Sequence, residues 1–178
     1  MAVNKKTELI VERRFDPKSY RHSVNGKTHV LHCHHYSTLY AQLAEDCGML
    51  DGRKLLREVA EDSFYEVLRD YYAARAVTDL AGRVAIAEQY FAFTGLGRMQ
   101  ITCAGPDSGE VTLSHSHLDE GWVKKFGQRA EPVNYIACGF IAAVFSLLFG
   151  RPARSFSVKE KESIVSGAGR SLFVVVAN

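Results

Sequence analysis

Hydrophobic and polar residues alternate in several short stretches of the chain and recur at intervals of three and four in longer ones. Alternation is typical of strands with one buried face, and the longer spacing is typical of amphipathic helices. The alternating stretches predict strands over residues 8–15, 20–24, 27–34, 98–103, 110–117, 155–161 and 170–177. The other stretches predict helices from Ser37 or Thr38 to about Gly48, and over 53–75, 79–93, 118–126 and 133–149.

Two turn signals connect pairs of these predicted strands. Asn25-Gly26 is the dipeptide preferred in two-residue hairpin turns, and the segment 105–109, Gly-Pro-Asp-Ser-Gly, is typical of a longer turn. The order of strands and helices predicts an α+β fold in which helices pack on an antiparallel sheet. We expect one domain over residues 1–178, since this length suits a single hydrophobic core.

Composition narrows the classes of function. Apolar residues make up 47% of the chain and charged residues 24%, as in ordinary globular proteins, and a net charge of +2 argues against nucleic-acid binding. The segment 135–149 is the longest apolar one, but Gly139 and Ser146 interrupt it, so it predicts a buried helix and no membrane span. Residues 1–6 lack an apolar signal core, and four cysteines without CxxC spacing favour reduced thiols in a cytoplasmic protein.

Histidines form the densest concentration of candidate chemistry. Four of the seven lie between residues 29 and 36. If this stretch is a strand, His32 and His34 share one face, and His115 and His117 form a second alternating pair beside apolar positions. Two such pairs facing each other would supply up to four nitrogen ligands for zinc or non-haem iron. The alternative is that all four are partly buried sheet residues that bind no ligand.

Catalytic groups would lie near these histidines. Cys33 beside His35 is a candidate nucleophile with its base. Glu120 is a candidate proton carrier, with Asp119 and Glu45 as other carboxylates for the same role.

The last third of the chain resembles a known family. The resemblance rests on an apolar helix with an internal glycine at 135–142, on Val158-Lys159-Glu160, on Gly167 and on the closing segment 171–175. It is similar to the 4-vinyl-reductase domain family, small-molecule-binding domains that also occur in sensors of aromatic hydrocarbons. The resemblance implies a fold related to haem nitric-oxide-binding domains and Golgi transport-complex subunits, an apolar ligand pocket and a homodimer.

The sequence departs from the metal motif of this family. That motif has an acidic residue followed by cysteine, glycine and cysteine, at positions that correspond here to Glu160, Ser163, Gly167 and Ser171. Neutral hydroxyls are poor zinc ligands, so a metal would have to bind at the histidine pairs instead. Haem is not expected either, because the Tyr-x-Ser-x-Arg motif that contacts haem propionates has no match.

Three hypotheses for function follow. The first is a protein that binds an aromatic or heterocyclic small molecule, with Tyr36, Trp122 and Cys138 among the residues that line its apolar pocket, although core packing is the simpler role for each. The second is an enzyme that acts on a small organic substrate and depends on zinc or iron held by the four paired histidines. The third is a structural interaction module without a ligand.

Overall fold

The computed structural model describes residues 7–30 and 32–178, which form seven strands, five α-helices and one short 3₁₀ turn. The strands are β1 (Arg13–Asp16), β2 (Arg21–Val24), β3 (Lys27–His29), β4 (Gly97–Ala104), β5 (Ser108–Ser116), β6 (Phe156–Glu162) and β7 (Ser171–Ala177). The helices are α1 (His34–Asp46), α2 (Gly52–Ala74), α3 (Leu80–Phe93), α4 (His117–Phe126) and α5 (Tyr135–Leu148), and the 3₁₀ turn is Ile164–Ser166.

The strands form two antiparallel sheets. A three-stranded sheet has the order β1-β2-β3, and a four-stranded sheet has the order β4-β5-β7-β6. Asn25 and Gly26 connect β2 to β3 with φ angles of 48° and 79°, both in the left-handed region that this two-residue turn requires. The predicted α+β class, with helices packed on an antiparallel sheet, is confirmed.

Helix α5 is the centre of the hydrophobic core. It packs on α2, on α3 and on strands β6 and β7, and every residue in it except Ile136 is buried. Phe140 and Phe145 from α5 and Phe173 from β7 are among the largest side chains that are fully buried. The apolar segment at 135–149 is therefore a core helix, as predicted.

Close contact between α5 and α2 depends on Gly139. A Cβ atom built at this position would lie 2.3 Å from the carbonyl oxygen of Arg57 and 2.8 Å from the Cβ of Ala60. Only a residue without a side chain allows the two backbones to approach so closely. This contact places the α2 residues around Arg57 next to the first turns of α5.

The predicted strand over 27–34 is too long, because β3 ends at His29 and α1 begins at His34. In α1 the buried positions Ser37, Thr38 and Ala41 follow the helical period, and they face α4. Gly121 permits this packing, since a Cβ there would lie 2.9 Å from the Cβ of His34. This stretch therefore forms a helix because one helical face is buried against α4, although its histidines alternate as in a strand.

The alternation expected in the second histidine pair also fails. Arg98 pairs with His115, and its neighbour Met99 pairs with Leu113, so Ser114 is an extra residue in a β-bulge. The bulge reverses the faces of β5 beyond it, which leaves His115 exposed and turns Ser116 into the interior. The next residue, His117, is already helical.

Some of the predictions concern residues that the structure does not describe. The segment 1–6, expected to lack a signal core, lies outside the described residues, as does Leu31 of the predicted strand. Among the helices of residues 7–30 and 32–178, none combines the length and the apolar character that crossing a membrane requires.

Candidate functional site: a cleft beside a buried carboxylate network

The carboxylate of Asp119, in the first turn of α4, is the centre of a buried hydrogen-bond network. Its Oδ2 accepts hydrogen bonds from Nδ2 of Asn134 at 2.7 Å and from the hydroxyl of Ser171 at 2.8 Å. Its Oδ1 accepts a longer one from the hydroxyl of Ser163 at 3.4 Å. All four residues are buried. The network therefore joins α4, the beginning of α5, the 3₁₀ turn and β7.

The residue that the bulge turns inward, Ser116, completes the network. Its hydroxyl accepts a hydrogen bond from the backbone N–H of Asp119 at 3.1 Å and donates one to Oδ1 of Asn134 at 2.9 Å. Asn134 occupies the N-cap position of α5 but makes no capping hydrogen bond, because its amide is bonded to these side chains instead. Its single acceptor and both of its N–H donors have partners inside the protein.

Glu160 on β6 is the second carboxylate of the network. Its Oε1 accepts a hydrogen bond from Nδ2 of Asn134 at 2.8 Å, whereas its Oε2 is buried without a partner in the described part of the chain. Burial, together with the negative charge of Asp119, raises the pKa of Glu160 to about 7. Burial also raises the pKa of Asp119, against the opposing effect of its hydrogen bonds. Glu160 therefore titrates near neutral pH, well above the range of an exposed carboxyl group.

A cleft of about 390 Å³ opens beside Glu160, between α2, α5 and β6. This volume is in the range that suits small organic ligands. The cleft is lined by Arg53, Arg57, Glu131, Pro132, Asn134, Tyr135, Cys138, Val158, Lys159 and Glu160. Charged side chains contribute much of its surface, so it is more polar than the largely apolar pocket that the resemblance implied.

Two α5 side chains, Tyr135 and Cys138, line this cleft. The hydroxyl of Tyr135 donates to Glu45 at 2.7 Å, and Glu45 forms an ion pair with Arg129 at 2.6 Å. The guanidinium of Arg57 lies 5.4 Å from the centre of the Tyr135 ring, so the ring is held between polar partners. Burial raises the pKa of Cys138 to about 12, which keeps this thiol neutral at physiological pH.

A second, larger cavity of about 580 Å³ lies between the β2–β3 hairpin and the helices α2 and α3. Ion pairs of Lys27 with Glu66 and Asp70, both at 2.9 Å, connect the hairpin to α2. Arg75, just after α2, pairs with Glu12, just before β1. The apolar wall of the cavity is formed by Val24, Val67, Tyr71, Ala74 and Tyr90. None of the residues proposed from the sequence as site residues lines it.

The structure brings together two of the four histidines that were expected to bind metal. The rings of His34 and His117 have centres 6.2 Å apart, and Nε2 of His34 is buried without a partner in the described residues. Burial and the neighbouring His35 lower the pKa of His34, so its imidazole is neutral at pH 7. His115 instead lies 3.3 Å from Glu120, and His32 lies against Tyr36 and Tyr40. The two facing strand pairs predicted from the sequence are not formed.

The residues proposed from the sequence as catalytic do not form one site. Cys33 is an exposed free thiol at the N-cap of α1, and His35 is exposed in the first turn of that helix. The carboxylate of Glu120 pairs with His115 on the surface. Across residues 7–30 and 32–178, no three His, Cys, Asp or Glu side chains lie close enough together to hold a metal ion.

The three residues expected to line one ligand pocket lie in three different places. Cys138 does line the cleft. Trp122 is buried in a smaller core cluster with Ala41, Val133, Tyr135 and Val165. Tyr36 is exposed on α1.

Comparisons with known proteins place this arrangement in a fold. No protein-family model matches the sequence, and no curated protein matches it. Among solved structures, the phenol-responsive sensory domain of the transcription activator PoxR, determined with phenol, superposes with a TM-score of 0.76. It is 17% identical, over 93% of this chain and 84% of that one.

A vinyl-4-reductase family protein from Methanocaldococcus jannaschii has a TM-score of 0.55 and 16% identity over 84% of each chain. Subunit 3 of a trafficking protein particle complex from Naegleria fowleri, covalently bound to palmitic acid, has a TM-score of 0.52 and 14% identity. That match covers 80% of this chain and 95% of the subunit. This chain has the 4-vinyl-reductase-like fold. At these identities the likeness concerns the fold alone.

The positions that correspond to the metal motif of the 4-vinyl-reductase family lie close together in the structure. Glu160, Ser163 and Ser171 all lie in the Asp119 network, and Gly167 ends the 3₁₀ turn with a φ of 92°, a conformation that favours glycine. A zinc ion does not fit this donor set. Both hydroxyls are neutral and already donate to Asp119, so the thiolates expected of such a site have no counterpart here.

Sequence reasoning missed several residues of the cleft. The sequence pattern places Arg53 and Arg57 only within the predicted helix over 53–75, and it gives Asn134 no distinct role. The one sequence signal for this part of the cleft is Pro132, because proline is frequent near the start of a helix and so indicates that Asn134 lies at the beginning of α5. The proximity of α2 to β6 is a tertiary feature that no local pattern contains.

The raised pKa of Glu160 predicts how stability depends on pH. The folded chain keeps a proton on Glu160 that the unfolded chain, with an ordinary pKa of 4.5, releases. The stabilisation from this proton is complete below the unfolded pKa and is lost as pH rises through about 7. We expect Glu160→Gln, which cannot ionise, to have a free energy of unfolding roughly 2–3 kcal/mol higher than that of the wild type at pH 8. The two proteins should differ less at pH 5. Urea unfolding at both pH values measures the difference.

Glu162→Gln is the matched control, because Glu162 is an exposed residue of the same strand whose ion pair with Arg170 is at the surface. It should leave the pH profile of the wild type unchanged. Equal slopes of unfolding free energy against pH in the wild type and Glu160→Gln would show that Glu160 titrates normally.

Proposed function

We propose that this protein binds an aromatic or heterocyclic small molecule in the cleft between α2, α5 and β6. The observation that carries the proposal is the Oε2 atom of Glu160, which is buried without a partner in the described residues, on a side chain that lines a cleft of ligand size. A buried polar atom without a partner is costly, and a ligand that hydrogen-bonds to it would remove that cost. The ring of Tyr135 and the side chains of Pro132 and Val158 offer the flat and apolar contacts that an aromatic ring needs.

The fold supports the same proposal. The sensory domain of PoxR, whose structure contains phenol, superposes over nearly the whole of this chain. A fold does not determine a ligand, so the argument for this chain rests on the cleft itself.

We expect a panel of small aromatic and heterocyclic compounds to include ligands that shift the backbone amide resonances of cleft residues. Val158→Phe, which adds a ring to the wall of the cleft, should weaken these ligands by at least about tenfold, because it occupies their volume. Affinities are measured by NMR titration or calorimetry on the full chain.

Val176→Phe provides the matched control, since Val176 is a half-exposed valine on the adjacent strand β7 and does not line the cleft. It should bind as the wild type does. Ligands that shift only residues around Tyr71 and Tyr90 would place binding in the hairpin cavity instead, and a panel without any ligand would refute the proposal.

A metal-dependent enzyme is the second candidate function, and the contact between His34 and His117 is the observation that favours it. Two imidazoles would leave most coordination positions for water and substrate. This function requires zinc or iron in stoichiometric amount in purified protein, and the metal should be lost in both His34→Ala and His117→Ala. His22→Ala, on the exposed strand β2, is the control. Metal-free wild-type protein would exclude this function.

We also propose that the protein forms a homodimer through the outer face of α1. Tyr36, Leu39, Tyr40 and Leu43 recur at helical spacing and are between 39% and 56% exposed, which gives one apolar stripe on the surface. A second copy of the chain, related by a twofold axis, would bury this stripe against itself.

Leu43→Glu should therefore shift the protein from dimer to monomer in sedimentation experiments, because two buried charges would face each other at the axis. Leu80→Glu, at a leucine of similar exposure on α3, should remain dimeric. A wild-type monomer at high protein concentration would contradict the proposal.

A further inference from the structure

The cleft carries an excess of positive charge that the protein itself does not neutralise. Arg53 and Arg57, one turn apart on α2, and Lys159 on β6 all line it. Arg53 lies 3.6 Å from the carboxylate of Glu131, but across residues 7–30 and 32–178 neither Arg57 nor Lys159 has a carboxylate within 4 Å. Two cations at one small cleft thus remain available to a ligand.

The acids that face the cleft do not balance this charge. Glu131 is exposed and is shared between Arg53 and Arg129. The pKa of Glu160 is raised to about 7 by burial and by Asp119, and Asp119 itself does not line the cleft. The remaining titratable groups, the Tyr135 hydroxyl and the Cys138 thiol, have raised pKa values and are neutral. The local electrostatic potential therefore favours an anion.

We propose that the ligand of the cleft is an aromatic or heterocyclic carboxylate, whose negative charge lies between Arg57 and Lys159 and whose ring packs on Tyr135 and Val158. This inference rests on the proposed function, since it names the chemical class of the molecule bound at the same site. A guanidinium binds a carboxylate through two parallel hydrogen bonds, an arrangement that a phenol or an amine cannot reproduce. The apolar part of the cleft then distinguishes a ring-bearing acid from a simple inorganic anion.

The test compares benzoate, phenol, benzylamine and inorganic phosphate in calorimetric titrations of the full chain. We expect benzoate to bind at least about tenfold more tightly than phenol and phosphate, and benzylamine not to bind. Arg57→Gln and Lys159→Gln should each weaken benzoate by about tenfold and leave phenol unchanged. Both side chains are at the surface, so folding should be preserved, and thermal unfolding verifies it.

Lys161→Gln is the control for charge, because Lys161 is two residues from Lys159 on the same strand and does not line the cleft. It should bind benzoate as the wild type does. An equal loss in this variant would reveal a general effect of net charge and overturn the assignment.

A second readout depends on Glu160. Ionisation of Glu160 adds a negative charge beside the bound carboxylate, so benzoate should bind more weakly as pH rises through about 7, the pKa of Glu160. Glu160→Gln should remove this dependence between pH 6 and pH 8. A carboxylate affinity that increases with pH would contradict the proposal.

The outcomes separate this inference from the proposed function. If phenol shifts the resonances of the cleft and benzoate does not bind, the anionic ligand class is wrong and the small-molecule site remains. If phosphate binds as tightly as benzoate, the ring contributes nothing and the proposed ligand class is also wrong. If no compound binds in the cleft, both proposals fail.

Discussion

The structure around the cleft depends on one buried anion, the carboxylate of Asp119. Removing a carboxylate from water costs several kcal/mol, and it is tolerated only where hydrogen bonds replace the lost solvation. Here Asn134, Ser163 and Ser171 donate those bonds from three separate parts of the chain. Because each donor would itself be unsatisfied without the carboxylate, the network fixes the positions of α4, α5 and β7 relative to one another.

Two serines that donate hydrogen bonds to Asp119 stand at the cysteine positions of the metal motif that the family resemblance implies. In the 4-vinyl-reductase family the motif implies that thiolates hold a metal where Ser163 and Ser171 lie. In this chain two hydroxyls share a carboxylate instead, so a negative charge now occupies the interior of the region. One consequence is electrostatic. Burial and the charge of Asp119 together raise the pKa of Glu160 to about 7, so a group that lines the cleft responds to pH near neutrality.

The sequence predicted most of the fold because its strongest signals are local. Asn25-Gly26 alone dictates the hairpin turn, and the apolar segment at 135–149 can only be a buried helix. The histidine site could not be predicted in the same way. A single extra residue, Ser114, reverses the side-chain direction of β5, and no alternating pattern reveals where such a bulge lies. The cationic side of the cleft likewise arises only when Gly139 lets α2 approach α5.

The carboxyl group with a strongly shifted pKa lies beside the cleft and not among the histidines, and burial is the cause. A group acquires unusual properties when the fold buries it beside another charge, as with Glu160 and Asp119, and an exposed group keeps its ordinary ones. His115 and His35 are exposed, whereas His34 and His117 are partly buried. A cluster of one residue type in the sequence is therefore a weak indicator of a functional site. The burial of a few side chains that lie far apart in the sequence is a stronger one. Asp119, Asn134 and Glu160 form such a set, and they come from α4, the start of α5 and β6.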